Sequence, residues 1–189
     1  MNGITGLVLA GGMGRRMDSQ DKGLVEFRGK PMVAHVIERL APQVESLIIN
    51  ANRNLDPYGA FGYAVISDEV GGFAGPLAGL HAGLSRCSTP FMVTAPCDSP
   101  FLPLDLVARL YEALQQNIAE LAVAKTGDQA QPVFALYSAT LLPSLSQFLE
   151  SGGRKIDAWY STHQVVEVPF TDPSAFANIN TIADLQALQ

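Results

Sequence analysis

A glycine-rich segment near the start of the chain has the composition of an anion-binding loop. Residues 9–17 are LAGGMGRRM, and the following segment DSQDKG contains Lys22. Glycines let the backbone turn sharply and present its N–H groups to a phosphate, while arginine and lysine neutralise phosphate charge. The segment lacks the ending of a P-loop, and Met17 stands where a dinucleotide-binding fingerprint needs a small residue. These residues predict a different kind of polyphosphate site, with an ordinary surface turn as the alternative.

A carboxylate follows a later apolar run, FMVTAP at 91–96. If that run is a buried strand, Asp98 emerges at the carboxyl edge of a sheet, where α/β proteins bind their ligands. Magnesium commonly takes one or two protein oxygens and fills its remaining positions with phosphate and water. We therefore expect Asp98 to be a magnesium ligand, with Asn180 as a second oxygen donor. The alternatives are that Asp98 caps a helix near Pro103 and that Asn180 caps a final helix from Thr181.

The elements that position these residues alternate between strand and helix. Short apolar, β-branched runs predict strands at 4–10, 44–50, 63–67 and 91–96, and helical spacing predicts helices at 31–40, 76–87 and 103–116. Strands at 121–124 and 133–137 flank a turn at 127–128, and helices follow at 139–150 and 155–162. This order predicts an α/β fold, a three-layer Rossmann-like sandwich with a mostly parallel central sheet.

Composition narrows the class of protein. The chain has 189 residues and a net charge of −6, which disfavours a nucleic-acid partner, and its two cysteines are too few for a disulfide framework. Residues 1–53 nevertheless have a net charge of +2, whereas the rest of the chain has −8, so an anion site is expected in this first segment. The absence of a basic leader and of an apolar run of about 20 residues predicts a cytoplasmic protein with no membrane partner. We expect one domain over 1–189, and a monomer.

Several motifs occur in an order that is much more specific than the glycine loop alone. Besides residues 9–17 and Lys22, they are DKGL at 21–24, GKP at 29–31, INANR at 49–53, GPLAG at 75–79, PCDSPF at 96–101 and NIN at 178–180. In these blocks, which span nearly the whole chain, the sequence resembles the pyrophosphorylase-like nucleotidyltransferases. Within that superfamily it is most similar to the molybdenum cofactor guanylyltransferase family.

The resemblance implies a reaction and its partners. Members of the family move GMP from GTP onto the phosphate of molybdopterin, with Mg²⁺ as cofactor and pyrophosphate as the product. The implied partners are GTP and molybdopterin, together with molybdoenzyme apoproteins, their chaperones or other cofactor-biosynthesis proteins. A cytidylyltransferase of the same cofactor and a non-catalytic nucleotide- or cofactor-binding carrier are the alternatives. A nicotinamide-dependent oxidoreductase is disfavoured by Met17.

The resemblance also implies roles for individual residues. The residues expected to act in catalysis are Arg16, Lys22 and Asp98. The residues expected to bind GTP are Leu9, Ala10, Gly11, Gly12, Lys22, Asn50, Asp68, Gly75 and Asp98, in a nucleotide-binding part at about 1–100. Residues expected to bind the acceptor are Arg154, Asn178 and Asn180, in a part at about 101–189. For Arg154, which follows two glycines, a helix C-cap with solvated basic residues is the alternative. Because an attacking phosphate oxygen is already anionic, no general base is expected.

Overall fold

A computed structural model of the chain describes residues 3–12, 21–71, 75–181 and 184. Arg16 and Met17 lie outside the described residues, so the expected role of Arg16 stays a prediction. The strands are β1 Ile4–Leu9, β2 Glu26–Phe27, β3 Lys30–Pro31, β4 Ser46–Asn50, β5 Ala64–Ile66, β6 Phe91–Pro96, β7 Leu121–Thr126, β8 Gln129–Ser138 and β9 Val165–Phe170. The α-helices are α1 Met32–Leu40, α2 Leu55–Gly59, α3 Pro76–Leu84, α4 Leu106–Asn117, α5 Leu142–Glu150 and α6 Ile156–Tyr160.

The central sheet has seven strands in the order β5-β4-β1-β6-β8-β7-β9. All neighbouring pairs are parallel except those made by β8, which runs antiparallel to β6 and β7. The mostly parallel sheet predicted from the sequence is therefore confirmed. Leu9 pairs with both Asn50 and Pro96 in register, so β1, β4 and β6 end at the same edge of the sheet.

Helices cover both faces of this sheet, as a three-layer sandwich requires. Successive side chains along a β-strand point to opposite faces of the sheet, so the side chains of β1 are shared between the two faces. Ile4 and Val8 pack with α1 and α4 in one buried cluster, whereas Leu7 packs with α3, α5 and α6 in another. Each fully buried aliphatic side chain contributes about 1.5–3 kcal/mol relative to an exposed one. These two layers of contacts hold the strand ends in place and thereby position the residues that follow them.

The differences from the predicted elements lie mainly where burial is partial. The sequence pattern does not predict β9, because it is an edge strand with exposed residues and contains Pro169, which weakens a strand pattern. It also misses the short helix α2 and the β2–β3 hairpin, since two to five residues carry little periodicity. The predicted helix at 76–87 ends at Leu84, and the one at 155–162 ends at Tyr160.

None of the helices in the part of the chain that the structure describes combines the length and the apolar character needed to cross a membrane.

Candidate active site

Residues from three strand ends meet at the carboxyl edge of the sheet. The Ala10 N–H donates to the carbonyl of Asn50 over 2.8 Å, and the Cys97 N–H donates to the carbonyl of Leu9 over 3.0 Å. These bonds continue the ladder past the last paired residues of β1, β4 and β6. Residues 9–12, which are the described part of the glycine loop, therefore share this edge with Asn50 and Asp98, as the strand pattern of the sequence predicts.

Three predicted residues that are far apart in sequence converge on one point. The Lys22 ammonium donates to Asp98 Oδ2 over 3.2 Å and to Asn180 Oδ1 over 2.6 Å. The Asp98 side chain is only 10% exposed, so its charge is poorly solvated and depends on this partner. The Ile179 N–H donates to the Asp98 carbonyl over 2.9 Å, which fixes the NIN segment beside the loop after β6.

The capping alternatives do not describe these two side chains. Asp105, not Asp98, directly precedes the first residue of α4. Thr181 and Asp184 form a reciprocal capping pair: the Asp184 N–H donates to Thr181 Oγ1 over 3.1 Å, and the Thr181 N–H donates to Asp184 Oδ2 over 2.9 Å. The Thr181 hydroxyl, followed by the Asn180 N–H, holds the pKa of Asp184 below its usual value. The Asn180 side chain therefore faces Lys22 instead of serving as the cap.

The oxygens around Lys22 suit a small, hard cation. Asp98 Oδ2 and Asn180 Oδ1 both lie within hydrogen-bond distance of the Lys22 ammonium, so the two oxygens are close together, and each keeps a further lone pair for a cation. Carboxylate and amide oxygens are the ligands that magnesium takes from proteins. Over the described ranges, no group of three or more His, Cys, Asp or Glu side chains gathers as a metal site. Two protein oxygens would leave most positions of an octahedral ion to other ligands such as phosphate and water.

A second set of predicted residues forms an amide–carboxylate network beside the glycine loop. Asn50 Nδ2 donates to Asp68 Oδ1 over 2.8 Å, and Asn52 Nδ2 donates to Asp68 Oδ2 over 2.8 Å. Asn52 also accepts from the Asp68 N–H over 2.9 Å and donates to the carbonyl of Gly11 over 3.3 Å. Each carboxylate oxygen of Asp68 is therefore held by a separate amide.

Asn52 was not among the predicted site residues. The signal for it is present in the motif INANR, because residues two apart in an extended segment point to the same side. Asn50 was predicted, and Asn52 follows it at that spacing. The structure places Asn52 between the glycine loop and Asp68.

Two glycines are required by close approach, and a third by its backbone conformation. A Cβ on Gly11 would lie 2.8 Å from Asn52 Nδ2, and one on Gly79 would lie 2.4 Å from Asn50 Oδ1. Gly75 precedes α3 with φ 61° and ψ −147°, a conformation that is essentially restricted to glycine. Gly12 is exposed, and a Cβ placed on it would have no neighbour within 4 Å among the described residues.

The predicted acceptor residues are distributed over two places. Asn178 Oδ1 accepts from the Ser99 hydroxyl over 3.0 Å. Asn178 belongs to the same NIN segment as Asn180, whose side chain contacts Lys22. Arg154 Nη1 donates to the carbonyls of Leu149 and Gly153 over 2.9 and 2.7 Å, at the C-terminus of α5. This is the capping arrangement that the alternative hypothesis describes, and a role for Arg154 in acceptor binding stays a prediction.

Comparisons with known proteins agree with this geometry. Residues 6–165 match the family model for the MobA-like NTP transferase domain. The chain is 56% identical to the molybdenum cofactor guanylyltransferase of Cupriavidus taiwanensis, over 97% of this chain and 95% of that protein. It is 54% identical to the enzyme of the same name from Bordetella petrii, over 98% and 96%. The crystal structure of molybdopterin-guanine dinucleotide biosynthesis protein A from Archaeoglobus fulgidus superposes with a TM-score of 0.79 at 25% identity, covering 97% and 96% of the two chains. The chain therefore belongs to the MobA-like NTP transferase family and, within it, to the molybdenum cofactor guanylyltransferases.

Proposed function

We propose that this chain transfers GMP from GTP to the terminal phosphate of molybdopterin, forms the guanine dinucleotide form of the cofactor and releases pyrophosphate. The observation that carries the proposal is the meeting of Lys22, Asp98 and Asn180 at the carboxyl edge of the sheet, beside the glycine loop. The guanylyltransferases of Cupriavidus taiwanensis and Bordetella petrii, which are 56% and 54% identical over nearly the full chain, support the same substrates.

Lys22 is the residue we assign to the departing pyrophosphate. Its bonds to Asp98 and Asn180 use two of the three N–H groups of the ammonium. The third N–H is the one that would reach a phosphate oxygen. Nucleotidyl transfer depends mostly on in-line placement and charge neutralisation, so a lysine that is anchored by two bonds, with a third N–H that has no partner among the described residues, suits this task. Arg16 is proposed to add positive charge on the same side.

Asp98 is proposed to hold magnesium, with the Asn180 amide oxygen as a second protein ligand. When bound, the ion supplies neutralisation of the triphosphate charge. The protein's own contribution is to keep these two oxygens close together, through the Ile179 bond to the Asp98 carbonyl. The ion would use lone pairs that do not accept from Lys22 and would lie beside the ammonium. Mg²⁺ dependence is therefore part of the proposal.

The nucleotide is proposed to bind along the loop of Leu9 to Gly12 and the network that supports it. Asn50 and Asp68 offer amide and carboxylate groups, and Gly75 precedes α3 without a side chain that would obstruct the approach. Asn178, Asn180 and Arg154 are proposed to face molybdopterin. The attacking phosphate oxygen is anionic at neutral pH, so a new P–O bond forms at the α-phosphorus while the bond to pyrophosphate breaks, without a general base.

The proposal also covers the location of the protein, its oligomeric state and the proteins that receive its product. We propose a cytoplasmic monomer that delivers its product to molybdoenzyme apoproteins or their chaperones. The mass measured by light scattering at micromolar concentration tests the monomer.

Thermal unfolding with Mg²⁺ and each of GTP, CTP, ATP and UTP tests the nucleotide, because selective binding raises Tm by mass action. We expect a rise for GTP at concentrations where the other three have little effect. Turnover with molybdopterin, followed by pyrophosphate release, then tests the reaction. A preference for CTP would identify a cytidylyltransferase, and binding without turnover would identify a carrier.

A further inference from the structure

The residue before Lys22 carries a buried carboxylate that the proposed reaction does not use. The Asp21 side chain is 5% exposed, and an isolated charge at that depth is costly. It is not isolated, since Tyr58 donates its hydroxyl to Asp21 Oδ1 over 2.6 Å and Asn54 Nδ2 donates to Oδ2 over 3.0 Å. Arg53 Nε lies 3.6 Å from the same Oδ2. All three partners belong to the segment 53–58, which leads from β4 into α2.

Gly23, the residue after Lys22, packs closely against the same tyrosine. A Cβ on Gly23 would lie 2.4 Å from the Tyr58 hydroxyl oxygen and 3.2 Å from Cys97 Cβ, so only glycine fits there. The Leu24 N–H donates to the Asp21 carbonyl over 2.9 Å and closes a tight turn over these residues. Tyr58 therefore contacts the chain on both sides of Lys22.

Tyr58 is suited to this position because its hydroxyl stays a donor. The tyrosine is fully buried, and burial raises its pKa far above the usual value, with Cys97 and Asp21 adding to the rise. Asn54 adopts φ 53°, a left-handed conformation that asparagine tolerates better than most residues, and from there its amide reaches Asp21. The two contacts thus come from Tyr58 in α2 and from Asn54, the residue that precedes this helix.

We propose that Asp21 is a positioning residue for Lys22, and that its bond with Tyr58 sets where the ammonium meets the nucleotide phosphates. The three consecutive residues have different roles. The Asp21 carboxylate anchors the turn to α2, and Gly23 lets the turn pack against Tyr58. Lys22 extends to Asp98 and Asn180. The inference rests on the proposed function, because it assigns Lys22 to the phosphates of GTP.

A double-mutant cycle between Tyr58→Phe and Lys22→Ala tests the inference, with the dissociation constant for GTP in Mg²⁺ as the measured quantity. In the wild-type background, Tyr58→Phe removes a hydrogen bond to a charged group, and we expect GTP binding to weaken about tenfold. In the Lys22→Ala background the same change should weaken binding by less than about twofold, because there is no ammonium left to misplace. Asp21→Asn should behave like Tyr58→Phe in both backgrounds.

Tyr137→Phe is the matched control for loss of a buried tyrosine hydroxyl. Tyr137 bonds to the hydroxyl of Tyr160 and pairs with Met92 near the start of β6, at the opposite end of that strand from Asp98. We expect it to lower Tm without changing GTP affinity.

The outcomes separate the inference from the proposed function. If Lys22→Ala weakens GTP binding but Tyr58→Phe weakens it by the same factor in both backgrounds, Asp21 and Tyr58 act through stability alone and the inference is overturned. If Tyr58→Phe lowers Tm and leaves GTP affinity intact, the inference is overturned as well. If Lys22→Ala binds GTP as tightly as the wild type, the assignment of Lys22 to the phosphates fails first, and the inference fails with it.

Discussion

Two polar clusters in this protein are built from different chemical groups. The edge cluster consists of Lys22, Asn50, Asp68, Asp98 and Asn180 and lies at the carboxyl edge of the sheet. The latch cluster consists of Glu120, Ser144, Trp159 and His163 and joins α5, α6 and the start of β7. The first contains fixed charges, whereas the second is mostly neutral side chains.

The latch cluster is satisfied within itself. Trp159 Nε1 donates to the Ser144 hydroxyl over 3.2 Å, and that oxygen lies 2.8 Å from His163 Nε2. His163 Nδ1 lies 3.2 Å from Glu120 Oε2. Because an indole N–H can only donate and a carboxylate can only accept, Trp159 donates to Ser144 and His163 Nδ1 donates to Glu120. These bonds hold three elements together.

The edge cluster is held by charges that a ligand can rearrange. Lys22 balances Asp98, and amides restrain Asp68 through each of its oxygens. A polyphosphate and a cation carry charges that can replace these contacts with stronger ones. The comparison teaches that a buried polar network stabilises a fold when its members satisfy one another, and serves a ligand when charged members retain bonding capacity.

The largest expected effect is the loss of transfer in Asp98→Ala. In the proposed reaction the Asp98 carboxylate is the main protein ligand of magnesium, so its removal should lower the rate of GMP transfer by about 10²-fold or more. Asp105→Ala is the control, since the Asp105 side chain is 61% exposed and pairs with Arg109, one turn further along α4. Near-normal turnover of Asp98→Ala in Mg²⁺ would show that the metal assignment is wrong.

Gly79→Ala should damage the edge cluster through packing. The added Cβ would lie 2.4 Å from Asn50 Oδ1 and 2.6 Å from Leu9 Cδ2, and overpacking of this kind costs about 1–3 kcal/mol. We expect a lower urea midpoint and a higher KM for GTP, because Asn50 must move away from Asp68. Gly59→Ala in α2 meets no atom within 4 Å and should be neutral or slightly stabilising. An unchanged KM in Gly79→Ala would argue against a nucleotide role for Asn50.

Ser144→Ala should show that the latch cluster contributes to stability and not to transfer. It leaves the Trp159 N–H and the His163 ring without their partner, which should lower the free energy of unfolding by about 1–2 kcal/mol. Transfer by the folded enzyme should be unchanged. Ser161→Ala, at an exposed serine that donates locally to the Ala158 carbonyl, should change stability by less than about 0.5 kcal/mol. A fall in kcat of folded Ser144→Ala would show that the clusters are coupled.

The smallest expected effect is a change in acid sensitivity in Glu120→Gln. The Gln164 N–H, together with the His163 ring, holds the pKa of Glu120 below its ordinary value of 4.5. As the pH falls below about 4.5, the unfolded chain takes up this proton first, so the carboxylate's stabilising contribution is lost across that window. Glu120→Gln should therefore lose less stability between about pH 5 and pH 3, measured by urea unfolding. An identical pH dependence in both proteins would contradict this assignment.

Burial decided how well the elements could be predicted. The strand pattern at 4–10 and 91–96 matches β1 and β6 closely, because both are buried and bounded by residues that end a strand. In β9 the exposed Glu167 and Pro169 interrupt that pattern, and its place is set by parallel pairing with β7. An edge strand draws its stability from its neighbour, so its own residues carry a weaker signal.

For the site, residue types and their order in the sequence determined which chemistry to expect: the glycine loop, Lys22, Asp98 and Asn180 stand in motifs whose side chains suit phosphate and magnesium. Only the tertiary structure decided which side chains meet. Lys22 and Asn180 are 158 positions apart, and the bond of Asp21 to Tyr58 spans 37 positions. Motifs and periodicity are local, whereas such contacts depend on how β1, β4 and β6 end together at one edge of the sheet.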